Sequence, residues 1–135
     1  MKYLSALFAI TLILCSCSTE PKSEYQGLYS AFEGNPSPET FKTLMDATIE
    51  KIRELEVADP ERKEALETGY KASKQMNNTA QAVGFLNTYI RDYPEDPSTA
   101  DKLYELGVSL NSANKAKAST TILQGFIQNY PQHEK

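Results

Sequence analysis

The stretch Ala82 to Pro94 reads AVGFLNTYIRDYP, and Ser119 to Pro131 reads STTILQGFIQNYP. Set one above the other, Leu86/Leu123, Ile90/Ile127, Tyr93/Tyr130 and Pro94/Pro131 are identical, while Phe85/Ile122 and Tyr89/Phe126 exchange like for like. These matches fall mostly on one apolar stripe with spacings of three and four, the face that an α-helix buries. Pro60 to Pro94 spans 34 residues, and so does Pro97 to Pro131. Two units with the same internal spacing, each matched position of the second lying 37 residues after its counterpart in the first, mark stacked structural repeats. One helical hairpin cannot bury its own apolar face, so neighbouring hairpins must stack.

Outward from this repeat the punctuation is regular. Ser37-Pro38, Asp59-Pro60 and Asp96-Pro97 each set a capping residue before a proline, ahead of an apolar-periodic stretch. Ser or Asp accepts a hydrogen bond from a free first-turn amide, and proline at the first helical position loses no bond. A further stripe runs through Phe41, Leu44, Met45, Thr48, Ile49, Ile52 and Leu55. Asn77-Asn78 and Ser112-Ala113-Asn114 read as tight helix–helix turns. The spacing predicts helices near 23–32, 38–57, 60–76, 79–93, 97–112 and 116–130, with no stretch of period two long enough for a strand. The expected fold is all-α, with stacked antiparallel helical hairpins making about two to three repeats. Its divisions are a leader at 1–16, a tether at 17–23, N-terminal helices with a degenerate repeat at 24–58, and repeats at 59–95 and 96–135.

The unit Ala100 to Pro131 resembles a tetratricopeptide repeat. Leu103, Leu106-Gly107 and Leu110 stand at the family's first-helix places, and Ser119, Leu123 and Pro131 at its second-helix places, with Phe126 where alanine is usual. The preceding unit keeps Leu66, Ala82, Leu86 and Pro94 but has Tyr70, beside Gly69, at the glycine place. Thr48, Ile52, Leu55 and Pro60 form a second-helix echo of a still earlier unit. The resemblance implies a concave face, built from first helices, that binds peptides or protein segments. In its register the inner positions are Asp101, Tyr104, Val108, Asn111 and Ser112. One repeat earlier they are Glu64, Glu67, Lys71, Lys74 and Gln75. This would be a mixed-charge groove with Tyr104 as aromatic anchor; a solvated helix face is the plainer reading of the same residues. Tyr70, Tyr89, Tyr93 and Tyr130 read as core rings with their hydroxyls at the surface.

The first residues form a separate signal. Lys2 precedes a nearly unbroken apolar run from Tyr3 to Leu14, about 18 Å of helix. That is too short for the ~30 Å hydrocarbon core of a bilayer and reads as a signal-peptide core. Leu14-Cys15-Ser16-Cys17 follows, resembling the bacterial lipobox, which implies cleavage before Cys17 and acylation of that cysteine. An ordinary cleaved signal peptide is the alternative. The Tyr-Pro repeat endings are similar to those of bacterial envelope lipoproteins with such repeats. Among these are the lipoprotein of the outer-membrane β-barrel assembly machine and the coordinator of the Tol–Pal system. Ser18, a residue other than Asp after the lipidated cysteine, implies the outer membrane, facing the periplasm, under the best-known sorting rule.

Charge and chemistry narrow the function class. Losing Lys2 from 14 basic residues leaves 13 against 18 acidic ones, so no basic stripe offers itself to nucleic acid or anionic lipid. His133 is the only histidine, expected in a frayed tail, with no second histidine or free cysteine to complete a metal site. No glycine-rich phosphate loop occurs. The carboxylates Glu54, Glu56, Asp59, Asp92, Glu95 and Asp96 sit at helix ends or turns, where solvated and capping roles explain them. No cofactor and no catalysis are expected. The sequence stops at Lys135 without a capping helix, so the stripe around Ile122 and Phe126 is expected to be partly exposed, as for a partner or self-association. The leading expectation is a lipid-anchored adaptor holding an envelope protein. A self-assembling structural lipoprotein, a homo-oligomer through the uncapped last helix, is the alternative, and an enzyme comes third.

Overall fold

The computed structural model describes residues 24–135. The proposed leader, Cys17 and the tether lie outside the described residues. Six helices follow in order: α1 (Glu24–Gly34), α2 (Pro38–Glu54), α3 (Pro60–Gln75), α4 (Thr79–Asp92), α5 (Thr99–Ser112) and α6 (Ala116–Asn129). Each packs against the next along the chain, and no strand occurs among the described residues. The molecule is the expected all-α solenoid of stacked hairpins.

Local chemistry accounts for most boundaries. Ser37 Oγ accepts from the Thr40 amide at 3.2 Å while the Ser37 amide donates to Thr40 Oγ1 at 3.1 Å, a reciprocal capping box ahead of α2. Asp59 Oδ1 accepts from the Glu61 amide at 2.9 Å, ahead of α3. The α3–α4 and α5–α6 turns are the same turn made twice. Asn77 (φ 54°) and Asn114 (φ 58°) take the left-handed conformation, which asparagine visits more readily than other residues with a Cβ. The following amides close the same bond, Asn78 to Ser73 O at 2.8 Å and Lys115 to Leu110 O at 2.9 Å.

The third expected start is displaced. Asp96-Pro97 lies in a turn, and α5 begins at Thr99. Asp96 caps no helix end by itself, because its carboxylate is shared between repeats. Oδ1 accepts from Tyr89 Oη at 3.0 Å and from the Ser98 amide at 2.8 Å, and Oδ2 pairs with Lys63 of α3. The Lys63 and Ser98 bonds hold the Asp96 carboxyl well below the usual carboxylate range.

Asp92 is likewise no solvated helix end, its side chain being 7 % exposed. It accepts from Arg62 Nη2 at 2.7 Å and from Arg91 Nε at 2.8 Å. Burial by itself would raise the Asp92 pKa, but the two guanidinium bonds prevail and lower it. The other terminal nitrogen of Arg62 donates to the carbonyls of Ile52 and, at 3.1 Å, Leu55. Arg62 thereby ties the end of α2 to the end of α4 across the first turn of α3.

The core runs the length of the stack, from Tyr25 and Phe32 of α1 through Leu44, Leu66, Leu86 and Tyr89 to Leu106 and Leu110 of α5. Close approach within the α3–α4 and α5–α6 hairpins depends on a glycine. A Cβ on Gly69 would lie 2.5 Å from the Phe85 ring, and one on Gly107 2.5 Å from Leu123. The small residues expected near the start of each second helix are buried, Ala82 and Ser119, and Ser119 Oγ donates to Gly107 O at 2.7 Å.

At the last helix the expectation of an open stripe is met only in part. Ile122 is half-buried, but Phe126 is buried, with ring centroids of Tyr104, Tyr130 and His133 at 5.6, 5.8 and 5.3 Å. The segment after α6 turns back, its His133 amide bonding Tyr130 O at 3.0 Å, so His133 covers Phe126 edge-on rather than fraying. The outward apolar residue of α6 is Ile127, 65 % exposed. Tyr93 also departs from expectation, since its hydroxyl is buried without a hydrogen-bond partner.

Candidate functional site

Helices α3 and α5, with the start of α4 between them, line a concave pocket of about 350 Å³. Of the residues placed on the inner face by repeat register, Lys74, Tyr104, Val108 and Ser112 line it. Glu64, Lys71, Gln75 and Asn111 are exposed and Glu67 is half-buried, none of them in the pocket wall. Asp101 stands at the rim, where its Oδ1 accepts from Lys135 Nζ at 2.7 Å. The Lys135 bond lowers the Asp101 pKa.

Register alone misses Tyr70, Asn77, Thr79, Ala82, Glu105, Ser109 and Lys135, which complete the wall. Tyr70 is the most informative of these. It occupies the place equivalent to Gly107, and its ring, though nearly buried, forms both core and pocket wall. Lys74 Nζ and Lys102 Nζ lie 5.7 and 5.4 Å from its centroid, within cation–π range. Burial, and then the charge of Glu105, push the Tyr70 hydroxyl far above its ordinary pKa, so it stays neutral and able to donate a hydrogen bond. The departure at the glycine place was visible in the sequence, but a large residue there reads equally well as core.

The arrangement suits a bound segment. Tyr70, Tyr104, Ala82 and Val108 offer apolar contact, Lys74 and Glu105 offer opposite charges, and Asn77, Ser109 and Ser112 offer neutral hydrogen-bonding groups. Val108 is 44 % exposed, a large apolar side chain presented to solvent at the centre of the groove wall. Among the described residues no group of His, Cys, Asp and Glu is arranged to hold a metal ion, and no helix is long and apolar enough to cross a membrane.

Two other furrows lie between successive second helices. One of about 420 Å³ is floored by Leu66 and Phe85, and one of about 770 Å³ by Leu106, Leu110 and Ile122. They are larger than the concave pocket and more apolar, and neither holds the two tyrosine rings and mixed charge of the groove.

No curated protein and no solved structure matches the chain. The tetratricopeptide repeat model matches residues 70–96 and 103–133, the segments that contain the α3–α4 and α5–α6 turns. Those two segments are tetratricopeptide-like repeats, and residues 24–135 are an all-α solenoid built around them.

Proposed function

We propose that the chain is a lipid-anchored, tetratricopeptide-like adaptor of the bacterial cell envelope that holds a segment of a protein partner in its concave groove. Repeats of this type serve protein–protein interaction, and their fold is typically a scaffold rather than a catalyst. The observation that carries the reading is the groove wall, in which the exposed Lys74 and Val108 and the half-buried Tyr104 stand with the nearly buried ring of Tyr70. Acylation at Cys17 supplies the anchor, since two or more acyl chains hold a protein stably where one does not. Ser18 directs it to the outer membrane.

The test is in-cell photo-crosslinking from a probe replacing Val108, with a second at Ile127. A heterologous adduct from Val108 supports the adaptor and names its partner; self-adducts alone, chiefly from Ile127, refute it. The second reading, a self-assembling lipoprotein, draws on the exposure of Ile127 and on an α6 whose only charged side chain is Lys117. It requires a mass that rises with concentration and falls back in Ile127→Glu. Cys17→Ser, followed by detergent-phase partitioning and intact mass, tests the anchor separately.

A further inference from the structure

The rim of the groove is already occupied by a cation, and that cation is the chain's own. After α6 the segment 131–135 turns back, placing Lys135 Nζ 2.7 Å from Asp101 Oδ1 and 5.6 Å from the centroid of Tyr104. The Tyr104 ring is itself braced against Phe126, with centroids 5.6 Å apart. His133 seats the turn from beneath, edge-on to Phe126 and with Nε2 3.6 Å from Asp101. The Lys135 amide donates to His133 Nδ1 at 3.3 Å. One carboxylate and one aromatic face thus receive an ammonium group at the mouth of the pocket, and Lys135 is part of the pocket wall. A carboxylate beside an aromatic ring is a general receptor for lysine or arginine, combining an ion pair with a cation–π contact.

We infer that Asp101 and Tyr104 form a subsite for a lysine or arginine side chain of the bound segment, and that Lys135 fills it as a displaceable strap until the partner's cation takes its place. The inference rests on the groove reading and gives it a ligand chemistry: an extended segment with apolar residues toward Val108 and a cation at the Asp101 end. Lys135 is exposed and its bonds are solvent-screened, so the strap is weak enough to yield. A site closed for most of the time binds more weakly by the fraction of time it is open. An exposed ion pair together with a cation–π contact corresponds to a factor of roughly five.

The experiment uses the full chain in cells with the photo-crosslinking probe at Val108, outside the subsite. Three versions are compared, with Lys135→Arg as a control: Lys135 intact, Lys135→Ala, and Lys135→Ala combined with Asp101→Asn. The expected result is a heterologous adduct that strengthens about fivefold at limiting partner in Lys135→Ala and falls below the intact level when Asp101→Asn is added. Lys135→Arg restores the intact level. A heterologous adduct of equal yield in all three overturns the subsite and leaves the adaptor reading standing. Absence of any heterologous adduct in every version overturns the adaptor reading, and the subsite with it. Unchanged helicity by circular dichroism in all versions separates these outcomes from misfolding.

Discussion

Gly69→Ala and Gly84→Ala are the same substitution on two helices of one hairpin, and they should change stability in opposite directions. Alanine gains about 1 kcal/mol over glycine inside a helix. At Gly84, on the outer face of α4, an added Cβ meets nothing within 4 Å, so most of that gain should appear. At Gly69 the added Cβ falls 2.5, 2.6 and 2.8 Å from three atoms of the Phe85 ring. The ring is rigid and buried, so it must rotate as a whole or α3 must move away from α4. Overpacking of this kind costs about 3 kcal/mol at the upper end of its usual range, which leaves a net loss of about 2 kcal/mol after the propensity gain. At about 4 °C per kcal/mol for a domain of this size, Gly69→Ala should melt ~8 °C lower and Gly84→Ala ~2–4 °C higher. Thermal unfolding followed by circular dichroism at 222 nm measures both. A Gly69→Ala protein that melts at or above the parent temperature would refute the argument that this glycine sets the distance between α3 and α4.

Arg62→Ala leaves Asp92 buried with only Arg91 and frees the carbonyls of Ile52 and Leu55; urea titration should show a loss of about 3 kcal/mol. Asp96 and Asp92 both have pKa values lowered in the folded state, so their stabilisation is full above about pH 4, the unfolded carboxylate range, and is lost as pH falls below it. Asp96→Asn should lose about 1.5–3 kcal/mol at pH 7 and show a flatter stability profile between about pH 4 and 2, read from melts across that range. Asn77→Ala should cost about 1–2 kcal/mol because its φ of 54° is left-handed, whereas Asn77→Gly should be neutral within the error of a urea titration.

Six helices were legible in the sequence because their signals are local: a cap, a proline and a stripe with spacings of three and four. The misplaced start at Asp96 has the opposite cause. Its carboxylate is taken by Tyr89 of the preceding helix and by Lys63, 33 positions earlier on α3, partners that no local capping pattern reports. Asp92 was misread for the same reason, its Arg62 lying 30 positions earlier. The expectation of a partly exposed stripe around Ile122 and Phe126 fails at Phe126 because nothing in the sequence announces that His133 folds back over it. In the groove, Tyr104, Val108, Lys74 and Ser112 followed from repeat register, since register fixes which residues share a face. Tyr70 did not, because one ring serves core and groove together, a double role that an apolar pattern cannot separate.

Each helix packs against its neighbours in chain order, and this has a kinetic meaning. Contacts between segments close in sequence require only short loops to be closed, so the chain should fold fast for its length. Folding can begin in any hairpin and spread to the next, as in other one-dimensional arrays. Arg62 changes how that spread proceeds. By joining the ends of α2 and α4 through α3 it makes three helices gain or lose order together, so the smallest piece that comes apart as a unit is larger than a hairpin. In hydrogen exchange, amides in α2, α3 and α4 should open with one shared free energy, and those of α6, beyond the reach of that link, with a smaller one of their own.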